Sequence, residues 1–123
     1  MSDKAWPTEI RLSPDKRTLT VAFDDGKSFA IPAELLRVRS PSAEVQGHGP
    51  GQRQTVPGKR EVQILAVEPV GSYAVRLRFD DMHDTGIYPW DLLRDMGERQ
   101  DALLAEYVAE LDAKGMSRER RKR

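Results

Sequence analysis

The chain has no cysteine. That excludes disulfides, thiol nucleophiles, iron–sulfur ligation by its own side chains and every cysteine-based zinc site. Long hydrophobic runs are also missing, so no stretch approaches a membrane span. Histidine is scarce: His48 and His83 are the whole supply. Neither begins the His-x-Asp or His-x-Glu pair that a facial iron triad requires. The N-terminal Met-Ser-Asp-Lys-Ala-Trp-Pro carries no apolar signal region, so a bacterial cytoplasm is the expected compartment. What remains, 123 residues with 38% hydrophobic and 33% charged, suits one well-solvated domain with a single core.

The formal charge is zero but unevenly spread. Residues 118–123, Arg-Glu-Arg-Arg-Lys-Arg, hold five basic groups and one acidic group, a net +4, which leaves −4 on residues 1–117. A body of that sign is a poor match for a nucleic-acid backbone. The tail reads as a disordered, solubilising end.

One unit is written twice. Phe29-Ala-Ile-Pro-Ala-Glu-Leu-Leu-Arg37 and Gly86-Ile-Tyr-Pro-Trp-Asp-Leu-Leu-Arg94 each follow an alternating strand that ends in Phe-Asp-Asp, at Phe23-Asp24-Asp25 and Phe79-Asp80-Asp81. Two copies are too few for a solenoid, so the repeat predicts one domain with a duplicated half. Alternation predicts strands at 8–12, 18–23 and 28–31, with turn chemistry at 13–16 and 24–26. Pro32 opens a short helix over 33–37. The second half repeats this with strands at 62–69, 73–79 and 86–88, a turn at 80–84 that is one residue longer, and a helix at 90–96 that Gly97 weakens. Leu103, Leu104, Tyr107, Val108 and Leu111 then form one apolar stripe on a helix over 98–114. The expected fold is α+β: an antiparallel or mixed sheet from a duplicated strand-strand-strand-helix unit, with a long C-terminal helix. The domain spans residues 1–117, with halves at about 8–39 and 61–96 and the basic tail beyond. Between the halves, 40–60 concentrates Pro41, Pro50, Pro57 and four of the nine glycines, and predicts a mobile loop.

No catalytic constellation emerges. Gly47-His-Gly-Pro-Gly51 resembles a phosphate cradle, but no helix follows it and Pro50 lacks an N–H. No serine sits in a Gly-x-Ser-x-Gly elbow. His83, inside Asp80-Asp-Met-His-Asp84, reads as a residue of an exposed, solvated turn; the competing reading is a metal site with Asp81 or Asp84, and with His48. Arg37 and Arg94 occupy equivalent positions, as do Glu34 and Asp91, which suits surface pairing near short helices better than an anion site. Tyr88 and Trp90 flank Pro89 and suit either core or interface.

The segment Leu36-Arg-Val-Arg-Ser-Pro-Ser-Ala-Glu-Val-Gln-Gly-His-Gly-Pro-Gly-Gln52 is distinctive, as is His83-Asp-Thr-Gly-Ile-Tyr-Pro-Trp-Asp-Leu-Leu-Arg94. Together they resemble the gamma-butyrobetaine hydroxylase-like N-terminal domain family, over roughly residues 8 to 95. In the hydroxylases this domain precedes a separate iron- and 2-oxoglutarate-dependent catalytic domain, which is absent from this sequence. Similar domains are joined to P-loop ATPases that carry iron–sulfur clusters. The resemblance also implies a structural zinc held by Cys-x-Cys-x-x-Cys and a later histidine. Those positions fall on Ser40, Ser42, Val45 and His83, so three of four ligands are replaced and no metal or other cofactor is expected; zinc or iron would enter only if the family's metal label held here.

The expected function is therefore a non-enzymatic interaction or accessory module. Its link to iron–sulfur or oxygenase metabolism is implied by the resemblance alone. The alternative is a metal-binding accessory protein with a degenerate zinc site around His83. The expected partner is a protein, with no membrane or nucleic-acid role. The expected contact surface comprises Arg37, Arg39, His48, Gln52, Tyr88, Trp90 and Arg94.

Overall fold

A computed structural model describes residues 6–46 and 54–119, apart from the side chains of Ala43 and Glu44. Strands β1 (Pro7–Leu12), β2 (Thr18–Phe23) and β3 (Ser28–Pro32) form one antiparallel sheet in the order β1-β2-β3. Helix α1 (Ala33–Val38) follows, then a helical turn α2 (Ala43–Gln46) inside the segment expected to be a mobile loop. Strands β4 (Ile64–Val70), β5 (Ala74–Phe79) and β6 (Ile87–Pro89) form a second antiparallel sheet, order β4-β5-β6. Helices α3 (Trp90–Glu98) and α4 (Gln100–Ala113) complete the chain. The class is α+β, as the repeat predicts, and the strands of the described residues form two three-stranded sheets rather than one.

The duplication extends to single hydrogen bonds. Register slips by one residue between Pro7 and Glu9 on β1 and between Ile64 and Ala66 on β4, opposite Phe23 and Phe79 respectively. Asp24 N–H donates to Trp6 O and its carboxylate accepts from Trp6 N–H; Asp80 and Gln63 make the same pair. Gly26 N–H donates to Phe23 O, and Phe23 N–H to Lys27 O; Met82, Phe79 and His83 repeat this turn. The turn needs a positive φ at its fourth residue, 88° at Gly26 and 75° at Met82. Glycine adopts that φ freely, whereas any L side chain is disfavoured there by about 1–2 kcal/mol.

Both sheets feed one core. Leu19, Val21, Phe23 and Ile31 from the first sheet meet Ile64, Val75, Leu77, Phe79 and Tyr88 from the second, with Leu35, Leu36, Leu93, Met96, Tyr107 and Leu111 from the helices. Pro32 and Pro89 end the strands with extended backbone and cap α1 and α3, rather than occupying the first helical turn. Helix α3 runs through Gly97, and a Cβ there would lie 2.6 Å from the Phe29 ring, so close packing explains this glycine better than helix weakening does. On α4, Tyr107 and Leu111 are buried, while Leu103 and Leu104 are partly buried against the core.

The expected free tail is docked at its first two residues. Arg118 donates Nε and Nη2 to both carboxylate oxygens of Glu34, at 2.8 and 2.6 Å, and Glu34 is 5% exposed. Gly58 N–H donates to Ser117 O and Arg60 N–H to Arg118 O, while Arg60 pairs with Glu119. Residues 120–123 lie outside the described part. Truncation after Met116 should therefore lower stability by about 2 kcal/mol, because a buried carboxylate loses its charge-assisted bonds. For a domain of this size that is a fall in melting temperature of roughly 6 °C. Adding Glu34→Gln should recover part of the loss; calorimetry on the three variants checks this.

Candidate functional site

Three polar side chains that lie apart in sequence meet inside the protein. Ser40 follows α1, Ser42 precedes α2, and His83 sits in the β5–β6 turn. His83 Nε2 lies 3.0 Å from Ser40 Oγ and 3.3 Å from Ser42 Oγ. Ser42 N–H also donates to Ser40 Oγ. Ser40 is 0% exposed, Ser42 7% and His83 4%. His83 is thus a buried residue and not part of the solvated rim of the turn. Val45 is buried in α2.

The sequence brings these groups together for identifiable reasons. Gln46 Nε2 donates to Ser40 O and ties α2 to the end of α1. Tyr88 donates its phenol to Leu36 O at 2.5 Å. Burial pushes the Tyr88 phenol far above its ordinary range, with Ser40 and Arg37 pulling weakly the other way, so it remains a donor. Gly86 leaves room between them: a Cβ there would stand 2.5 Å from Ser40 Oγ and 3.0 Å from the Tyr88 ring. Sequence reading passed over Gly86. The signal was the one-residue excess of the second hairpin over the first, which falls between His83 and Ile87.

A second arrangement frames this cluster. Arg37 on α1 donates Nε to Asp81 Oδ2 at 2.7 Å, and Arg94 on α3 donates Nη2 to Asp25 Oδ2 at 2.8 Å. Each half thus sends the arginine of its helix to the acidic turn of the other. The other oxygen of each aspartate accepts from its own turn, from Lys27 N–H at Asp25 and His83 N–H at Asp81. Lys59 joins Asp81 at 2.6 Å, and the Arg94 guanidinium lies over the Phe23 and Phe29 rings. Burial raises the Asp81 pKa, but Lys59 and Arg37 outweigh it and hold the carboxyl below its ordinary 3.8.

These contacts revise the expected contact surface. Tyr88 and Arg39 are buried, which removes them from any partner surface; Arg39 lies under α4, paired with Glu106 and Glu110 and over the Tyr107 ring. Tyr107, largely through burial and then Glu34, has its phenol pushed up to about 12. Arg37 and Arg94 are committed to Asp81 and Asp25. Trp90 is half-buried, donating its indole N–H to Ser72 O. His48, Gln52 and the glycine run at 47–51 lie outside the described residues.

The donor set decides what the cluster can hold. One imidazole nitrogen, two neutral hydroxyls and the alkyl side chain of Val45 do not fit zinc, which takes thiolate, imidazole or carboxylate ligands. The hydroxyls instead stand at hydrogen-bonding distance from Nε2.

Comparison with known proteins gives a consistent picture. A family model described as gamma-butyrobetaine hydroxylase-like, N-terminal, matches residues 10–94. Two proteins with NMR solution structures are similar to this chain. One is 44% identical, with 97% of this chain and 94% of that one covered and a TM-score of 0.83. The other is 47% identical, with 98% and 89% covered and a TM-score of 0.82. A crystal structure from Acidithiobacillus ferrooxidans, of a protein of unknown function in the DUF971 family, is 40% identical over 74% of this chain and 91% of its own, with a TM-score of 0.62. No curated protein matches.

Two outcomes are expected from variants of this region. Ser40→Cys, Ser42→Cys and Val45→Cys together should create a tight zinc site with His83, since two of the three positions already meet its Nε2. Adding His83→Ala should weaken zinc binding, measured by competition with a chromogenic chelator. For Asp81 the folded pKa lies below the unfolded one. Its stabilisation is therefore complete above 3.8 and is lost as pH falls through the lower folded value. The stability gap between wild type and Asp81→Asn should be widest near neutral pH and shrink as pH falls below 3.8 in denaturant titrations.

Proposed function

The chain belongs to the gamma-butyrobetaine hydroxylase-like N-terminal family, and from that premise we propose that it works as a non-enzymatic interaction or accessory module. The observation that supports this most is the internal use of its central polar groups. Ser40, Ser42 and His83 are buried and bonded to one another, an arrangement that suits a structural role better than contact with a substrate. The depression between residues 58–62 and Asp80–Asp81 holds about 130 Å³, below the ~300–1,000 Å³ of small-molecule sites. A wider one of about 660 Å³, between Pro57–Lys59 and Gly115–Glu119, offers Lys59 and Glu119 as its charged groups, with no histidine to act as acid or base. An association with iron–sulfur or oxygenase metabolism remains a family-level proposal.

The convergence on His83 motivates a second reading, a metal-binding accessory protein whose site has degenerated. Elemental analysis separates the two. Protein purified untagged and without added metal should carry well under one zinc or iron per chain under the first reading, and close to one under the second. Turnover of any substrate by the pure chain, abolished by Ser40→Ala or His83→Ala without loss of fold, would overturn both.

A further inference from the structure

The two halves make the same turn with different fourth residues. Gly26 fits its φ of 88° without strain, whereas Met82 holds φ at 75° with a side chain that is 89% exposed. It is the most exposed large hydrophobic side chain among the described residues. Nothing inside the fold accounts for methionine at a position where glycine serves the other half. The tip itself is rigid. Asp81 is fixed by Arg37, Lys59 and the His83 N–H, and Asp80 is paired with the Gln63 backbone. A flexible thioether is therefore presented from a fixed platform, which lowers the ordering entropy of docking.

Acidic groups outnumber basic ones at the rim, where Lys59 is paired with Asp81. Asp80 and Asp84 on either side are exposed and have no ion-pair partner among the described residues. Exposed Glu61 lines the same shallow depression as Asp80. We propose that Met82 is a docking anchor that inserts into an apolar pocket on a partner protein whose rim carries lysine or arginine. This deepens the interaction-module reading and rests on it. A nucleic-acid backbone or an anionic lipid surface would be repelled by the same carboxylates.

The test places a genetically encoded photo-crosslinking residue at position 82 of the full chain in its own cells. A parallel variant carries it at Tyr73, which is 57% exposed in the β4–β5 turn at the other end of β5. The captured protein is then purified and titrated with wild type, Met82→Gly and the Asp80→Asn, Asp84→Asn double variant. Met82→Gly should raise the melting temperature by a few degrees yet weaken binding at least tenfold. The double variant should bind more weakly, with a flatter salt dependence. Capture from position 73 but not 82 would refute the anchor and leave the interaction module standing. Capture from neither would sink both. Capture of a second copy of this chain, or unchanged affinity in Met82→Gly, would also overturn the proposal.

Discussion

A three-stranded meander has one apolar face and nothing of its own to cover it. In β2 that face is Leu19, Val21 and Phe23, and in β5 it is Val75, Leu77 and Phe79; all six are buried in one continuous core. Each such side chain contributes about 1.5–3 kcal/mol when removed from water, so the shared core supplies most of the stabilisation and neither half is complete alone. The remaining contacts are arranged around that requirement. The exchange of Arg37 to Asp81 and Arg94 to Asp25 ties each helix to the turn of the other half at the edge of the core. Partly exposed ion pairs add little energy, and this exchange is better understood as fixing the relative orientation of the halves.

The Phe-Asp-Asp motif acquires a physical meaning from this. The phenylalanine enters the core, the first aspartate latches the residue before the opening strand, and the second closes its own turn while receiving an arginine from the other half. Three successive side chains thus perform three separate tasks, and the motif occurs once per half.

The cluster at Ser40, Ser42 and His83 illustrates a different constraint. Buried polar groups must be bonded, whatever bonds them. Here hydroxyls approach the imidazole directly, the Tyr88 phenol is satisfied by a backbone carbonyl, and Gly86 keeps the space open. The cluster closes with a donor set unsuited to zinc, because satisfying hydrogen bonds asks less of side-chain chemistry than coordinating a metal does.

Much of this was legible in the chain. Strand alternation, the two Phe-Asp-Asp turns, the two prolines and the stripe ending at Tyr107 and Leu111 are local patterns with periods of two or 3.6 residues, and they fixed the elements within a residue or two. The relation among positions 40, 42 and 83 was available only through family resemblance, since Ser40 and Ser42 lie 43 and 41 positions before His83. What the sequence could not decide was exposure. Glu34 and Arg39 are charged and buried, His83 is buried within an acid-rich turn, and Arg118 is held by Glu34 rather than left free. Charge and local pattern indicate what a residue prefers on average; its burial depends on which distant segment covers it. That is settled only when both halves close on the same core and the C-terminal segment crosses residues 58–60.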